Sequence, residues 1–186
     1  TDCTPSKIRE FNSLASKLNA KFKLTLGEPD FDTPIEIKDA LIEAVNQNHT
    51  RYAPTVGNKN LREEICKFEK RVNKVSYEPD EVLITTGSTE ALTAALFTLL
   101  NQDDEVIVPI PCYALYEPVI SYCGAKMIPL DTRPDFQISK GHLEALINNK
   151  TKAILLTSPN NPTGTIYDDK TLENIYNIVK DTNILV

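Results

Sequence analysis

The seven residues Ser158-Pro159-Asn160-Asn161-Pro162-Thr163-Gly164 set side-chain amides and hydroxyls into backbone that cannot continue a regular element. They follow Ala153-Ile154-Leu155-Leu156, an apolar run that reads as a buried strand. A strand that stops in a rigid, amide-rich turn is where an open α/β sheet places ligands, beyond the carboxyl ends of its strands. Asparagine there donates through its NH2 and accepts through its carbonyl, which suits a ring hydroxyl or phenolate. Composition alone favours a plain tight turn.

Two other stretches could do chemistry. Gly87-Ser88-Thr89 falls between an expected strand and an expected helix. The free N–H groups of a first helical turn, its dipole and two hydroxyls make an anion site, with phosphate as the natural occupant. A simple N-cap by Ser88 or Thr89 explains the same residues equally well. Pro111-Cys112-Tyr113 falls at the end of the next strand, where an aromatic side chain can stack on a flat heteroaromatic ring or simply pack into the core. Neither Gly-x-Gly-x-x-Gly nor a Walker loop occurs, so nucleotide binding has no positive support.

The elements that must position these residues alternate. Residues 1–30 read as an arm: Ile8, Phe11, Leu14, Ala15 and Leu18 form a helical stripe over Pro5 to Leu18, and Leu24-Thr25-Leu26 is a short extended piece before a loop. A helix then starts with Thr33 as N-cap, Pro34 at its first position and Glu36 completing a capping box, burying Ile37, Ala40, Leu41, Ala44 and Val45. Leu61, Ile65, Phe68 and Val72 mark a second amphipathic helix with Arg62 on its solvated side. Strands are expected at 81–86, 105–110, 126–130, 152–157 and from Asn183, and helices at 87–100, 111–123, 139–147 and from Asp168 or Asp169 to Lys180. Repeated β-α-β units imply an α/β fold: a three-layer, mostly parallel sheet with helices on both faces.

Composition narrows the partners. A net charge of −6 over 186 residues argues against nucleic acid or an anionic membrane. No apolar run reaches membrane-spanning length, and the first residues do not form a signal peptide, so a cytoplasmic location is expected. The four cysteines lack Cys-x-x-Cys spacing and read as reduced thiols; with two histidines, no metal site is expected.

The string 158–164 resembles the Ser-Pro-Asn-Asn-Pro-Thr-Gly signature of class I/II aminotransferases, the fold-type-I enzymes that use pyridoxal 5'-phosphate. The resemblance runs in order and spacing from about Ile8 to Val186, and 116–126 is similar to the acetyl-diaminopimelate and aromatic aminotransferase branch. It implies that Gly87, Ser88 and Thr89 hold the cofactor phosphate, Tyr113 covers the pyridoxal ring and Asn161 bonds its 3′-oxygen. It further implies that Gly27 lies beside the substrate carboxylate and that Tyr52 reaches the phosphate of a neighbouring subunit, hence a homodimer acting on an amino acid and a 2-oxo acid. Residues 31–186 would then be an incomplete cofactor-binding large domain. No residue here matches the family's cofactor-anchoring lysine, its ring-nitrogen aspartate or its phosphate and carboxylate arginines. The expectation is part of a longer protein, without the C-terminal small domain, with no catalytic residue of its own and inactive alone. Another fold-type-I reaction (a C–S lyase eliminating at the β-carbon), a non-catalytic binding fragment and a generic nucleotide-binding α/β domain are the alternatives.

Overall fold

The computed structural model describes residues 7–18, 22 and 27–186. Cys3, Pro5 and the extended piece expected at 24–26 lie outside them. The chain divides into two compact units: described residues up to Ala91, and Leu92–Val186.

The second unit is built on a three-stranded parallel sheet of order β2-β1-β3, from β1 (Glu105–Ile110), β2 (Lys126–Asp131) and β3 (Thr151–Ile154). β1 is central, and its near-continuous apolar run follows from burial on both faces of a parallel sheet. Strand alternation sends Val106 and Val108 into one core with Leu96, Leu100, Tyr116, Val119 and Ile120, and sends Ile107 into another with Leu143, Tyr167 and Ile175. Helices α4 (Ser88–Leu99) and α5 (Tyr116–Tyr122) therefore cover one face, and α6 (Lys140–Leu146) and α7 (Asp169–Val179) the other. The three-layer α/β architecture expected from the β-α-β pattern is what the chain forms. Leu185 adds a parallel bridge to Ala153, the beginning of the strand expected from Asn183.

Local chemistry explains the helix ends. At the end of α5 the Gly124 N–H donates to Ser121 O and the Ala125 N–H to Ile120 O, with Gly124 at φ +78°, which is the Schellman arrangement. At the start of α7 the Asp168 carboxylate accepts from the Thr171 N–H at 2.7 Å.

The first unit holds α1 (Lys7–Lys17), α2 (Ile35–Asn46) and α3 (Lys59–Val72). Several expectations change here. Pro34, not Thr33, is the N-cap of α2, and no side chain caps that helix, so the capping box does not form. Ile37, Ala40, Leu41 and Val45 are exposed rather than buried. Arg62 is buried rather than solvated: its guanidinium donates to the Pro79 carbonyl and to Asp80. Residues 82–86 are not a strand: among the described residues the one backbone bond that joins them to another segment, from Ile84 N–H to Val56 O, is no ladder. In the second unit, residues 111–115 lie before α5 rather than in it, and β3 ends at Ile154 rather than 157.

Candidate functional site

The strand order places a topological switch point at the carboxyl ends of β1 and β3. These strands are neighbours and parallel, yet the chain leaves β1 for α5 on one face and β3 for α7 on the other. Loops that part to opposite faces open the sheet edge between them, and that is where open α/β sheets take ligands. Tyr113 follows β1 and Asn161 follows β3, so the structure brings these two expected site residues to one end of one pair of strands.

The two adjacent asparagines of the turn have different roles. The half-buried Asn160 side chain donates to the Pro111 carbonyl at 3.0 Å and to Thr163 Oγ1 at 2.8 Å. The turn is closed by Asn160 N–H to Thr165 O and Gly164 N–H to Asn160 O, both 2.8 Å, with Gly164 at φ +72°. Asn161 is exposed, and its amide bonds to nothing among the described residues. It is the amide available to a ligand.

Tyr113 is 39% exposed, and its ring meets Tyr116 edge-on, with centroids 5.7 Å apart and planes at 84°. Tyr116 is buried, and its hydroxyl bonds Thr157 Oγ1 at 2.6 Å. Burial, and then the Glu117 carboxylate, push the neighbouring Cys112 thiol up, so it stays protonated at neutral pH. Burial likewise raises the phenol of Tyr167, with Tyr116 nearby.

The other expected residues lie in the first unit or at its end. Gly87 has φ +83°, a conformation that favours glycine, and a methyl group there would meet nothing within 4 Å. Ser88 and Thr89 are the first two residues of α4. Glu90 reaches back to the Thr86 N–H, and Thr85 Oγ1 donates to the Gly87 carbonyl at 3.0 Å; together they fix the turn. Gly27 is exposed with open space around its α-carbon, and Tyr52 is fully exposed. Among the described residues no three His, Cys, Asp or Glu side chains gather as a metal site would require, and no helix is long and apolar enough to cross a membrane.

The aminotransferase class I and II family matches residues 19–186. The chain belongs to that family. It is 37% identical over 183 residues to a Bacillus subtilis (strain 168) protein named as a probable N-acetyl-LL-diaminopimelate aminotransferase, covering 97% of this chain and 47% of that protein. Aspartate aminotransferase from Thermus thermophilus with maleate superposes with a TM-score of 0.90 at 33% identity, over 97% of this chain and 50% of that one. Escherichia coli YbdL, for which a methionine aminotransferase function has been identified, also gives 0.90, at 29% identity, over 98% and 49% of the two chains. The chain spans about half the length of the curated relatives it matches.

Within this aminotransferase frame, sequence reasoning missed Asn160, Tyr116 and Thr157. The signals were there: Asn160 adjoins Asn161 in the string, and Tyr116 lies three residues from Tyr113.

Proposed function

We propose that this chain supplies the first part of a homodimeric, cytoplasmic, pyridoxal-phosphate-dependent aminotransferase that moves an amino group between an amino acid and a 2-oxo acid. The observation that carries the reading is the pair at the switch point: a free asparagine amide and a partly exposed aromatic face at the carboxyl ends of adjacent parallel strands.

The donor set suits the cofactor's parts. A helix N-terminus preceded by a glycine at positive φ, with two hydroxyls, accommodates a phosphate dianion through Gly87, Ser88 and Thr89. Tyr113 offers its face to a planar heteroaromatic ring, and the Asn161 amide donates to a ring oxygen, favouring its ionised form. Bound pyridoxal phosphate supplies the electron sink that lets an amino acid's α-proton leave. This chain's part is to hold and orient: the first turn of α4 fixes a phosphate, and Tyr113 and Asn161 fix the ring's plane and its in-plane rotation. Gly27, with no side chain, leaves room for a substrate carboxylate beside its backbone. Tyr52, extended into solvent, is free to reach a second subunit.

The amino donor stays open between aspartate-like, sulfur-containing, aromatic and acylated diamino acids, since relatives of similar identity carry different names. The test is to add pyridoxal phosphate to the protein expressed from its complete reading frame. A visible absorbance band should form, and initial rates with donor and 2-oxo acid varied together should give parallel reciprocal plots. Ammonia and pyruvate released without an acceptor would replace transamination with β-elimination. No visible band would end the cofactor reading.

A further inference from the structure

We infer that Tyr116 and Asn160 are positioning residues: two cross-ties that lock the loop bearing Tyr113 to the turn bearing Asn161, so that the ring-binding pair is set before any ligand arrives. The inference rests on the cofactor reading above.

Residues 111–115 and 155–165 are largely irregular, so no helical or sheet ladder fixes one against the other. Two side-chain ties do. The first runs from Tyr116 to Thr157, 41 residues apart, at 2.6 Å. The second runs from the Asn160 amide to the Pro111 carbonyl, 49 residues apart, at 3.0 Å. Each tie begins within three residues of Tyr113 and ends within four of Asn161. Phenylalanine would pack the Tyr116 site equally well, and a buried hydroxyl costs free energy unless bonded, so the phenolic oxygen is there for its bond. The same ring receives Tyr113 edge-on, so holding Tyr116 also sets the plane of Tyr113. Asn160 commits both amide protons, one to Pro111 and one to Thr163, while Thr163 bonds Thr165 at 3.0 Å. The Asn160 amide is therefore spent inside the turn and on Pro111, and Asn161 is the side-chain amide of the turn left without a partner among the described residues.

The experiment uses the complete protein with pyridoxal phosphate itself as probe. Tyr116→Phe, Thr157→Val and the double variant are titrated by absorbance, with visible circular dichroism of the bound cofactor and thermal unfolding of the cofactor-free protein measured in parallel. The expected result is a dissociation constant about five- to tenfold weaker in each single variant, the loss of roughly one hydrogen bond. The double variant should be no worse than either single, since both cut one tie. The induced visible band should shrink, because it reports how rigidly the ring is held. Asn160→Asp keeps the side chain's shape but loses the donors to both Pro111 and Thr163, and should act in the same direction. Dissociation constants within twofold of the parent, or lowered thermal stability with unchanged affinity and dichroism, would reduce the ties to ordinary packing and overturn the inference while leaving the cofactor reading intact. A parent protein that binds no pyridoxal phosphate would overturn both.

Discussion

Gly57 is packed so tightly on Ile84 that a methyl group at position 57 would overlap the Ile84 side chain. The contact joins the loop carrying Tyr52 to the extended segment leading to Gly87, and backbone bonds from Gly57 N–H to Pro54 O and from Ile84 N–H to Val56 O lie on either side of it. Gly57 also sits at φ +92°. Gly57→Ala should therefore cost twice: about 1–2 kcal/mol for the backbone conformation and about 1–3 kcal/mol for the overlap. Urea unfolding monitored by far-ultraviolet dichroism should show a loss within that sum. An alanine variant as stable as the parent would mean that the loop is not seated on Ile84.

Gly87 separates the two effects. Its φ is +83°, but no atom lies within 4 Å of where a methyl group would stand. Gly87→Ala should lose only the conformational part, about 1–2 kcal/mol at most. If the turn holds a phosphate, affinity for pyridoxal phosphate should fall about tenfold or more, out of proportion to the stability change. Equal affinity in the two proteins would move the phosphate elsewhere.

Much of this was legible in the sequence where one residue type answers one backbone need. Asp168, one of the two adjacent aspartates expected to start the last helix, caps α7, and the strand expected at 105–110 is β1. Legibility failed where the outcome depends on a distant partner. Arg62 looks like a solvated helix residue until Pro79 and Asp80 arrive to take its guanidinium. Residues 82–86 have strand composition but no described strand to pair with, and α2 has an apolar face that is largely exposed. Thr33 precedes a proline, and the extended backbone of Pro34 makes Pro34 itself the cap. In the candidate site, residue types and order singled out Tyr113 and Asn161 as expectations, whereas the Tyr116–Thr157 tie spans 41 residues, and no local pattern encodes it.

Asn160 and Asn161 should respond in opposite ways to the same truncation. Asn161 is exposed and bonds nothing among the described residues, so Asn161→Ala should leave thermal stability within experimental error. Asn160→Ala removes donors to Pro111 and Thr163 and should destabilise by about 1–3 kcal/mol. Ligand affinity reverses the emphasis: Asn161→Ala should weaken pyridoxal phosphate binding with no stability change to explain it. Differential scanning calorimetry of the cofactor-free proteins, set beside absorbance titrations, separates the two. A destabilised Asn161→Ala would show that its amide has a structural partner.

The acid limb of stability should trace partly to the cap of α7. The hydrogen bond from the Thr171 N–H, then that from its hydroxyl, hold the Asp168 carboxyl below the usual carboxylate range. A carboxylate whose folded value is depressed stabilises the fold above its unfolded value, near 3.9, and that contribution disappears as pH falls through the folded value. Asp131 behaves alike: the hydrogen bonds of the Arg133 guanidinium hold it down to about 2. That pair is exposed, so salt should screen its share, whereas the cap's share rests on a short bond to backbone and should persist. Melting temperature should therefore be flat from neutral pH to roughly 4.5 and fall below that. In Asp168→Asn, which keeps an acceptor but cannot ionise, the melting temperature should be lower at neutral pH and approach that of the parent in acid. If the two proteins instead differ by a constant amount across the whole range, the ionised cap contributes nothing beyond its hydrogen bond.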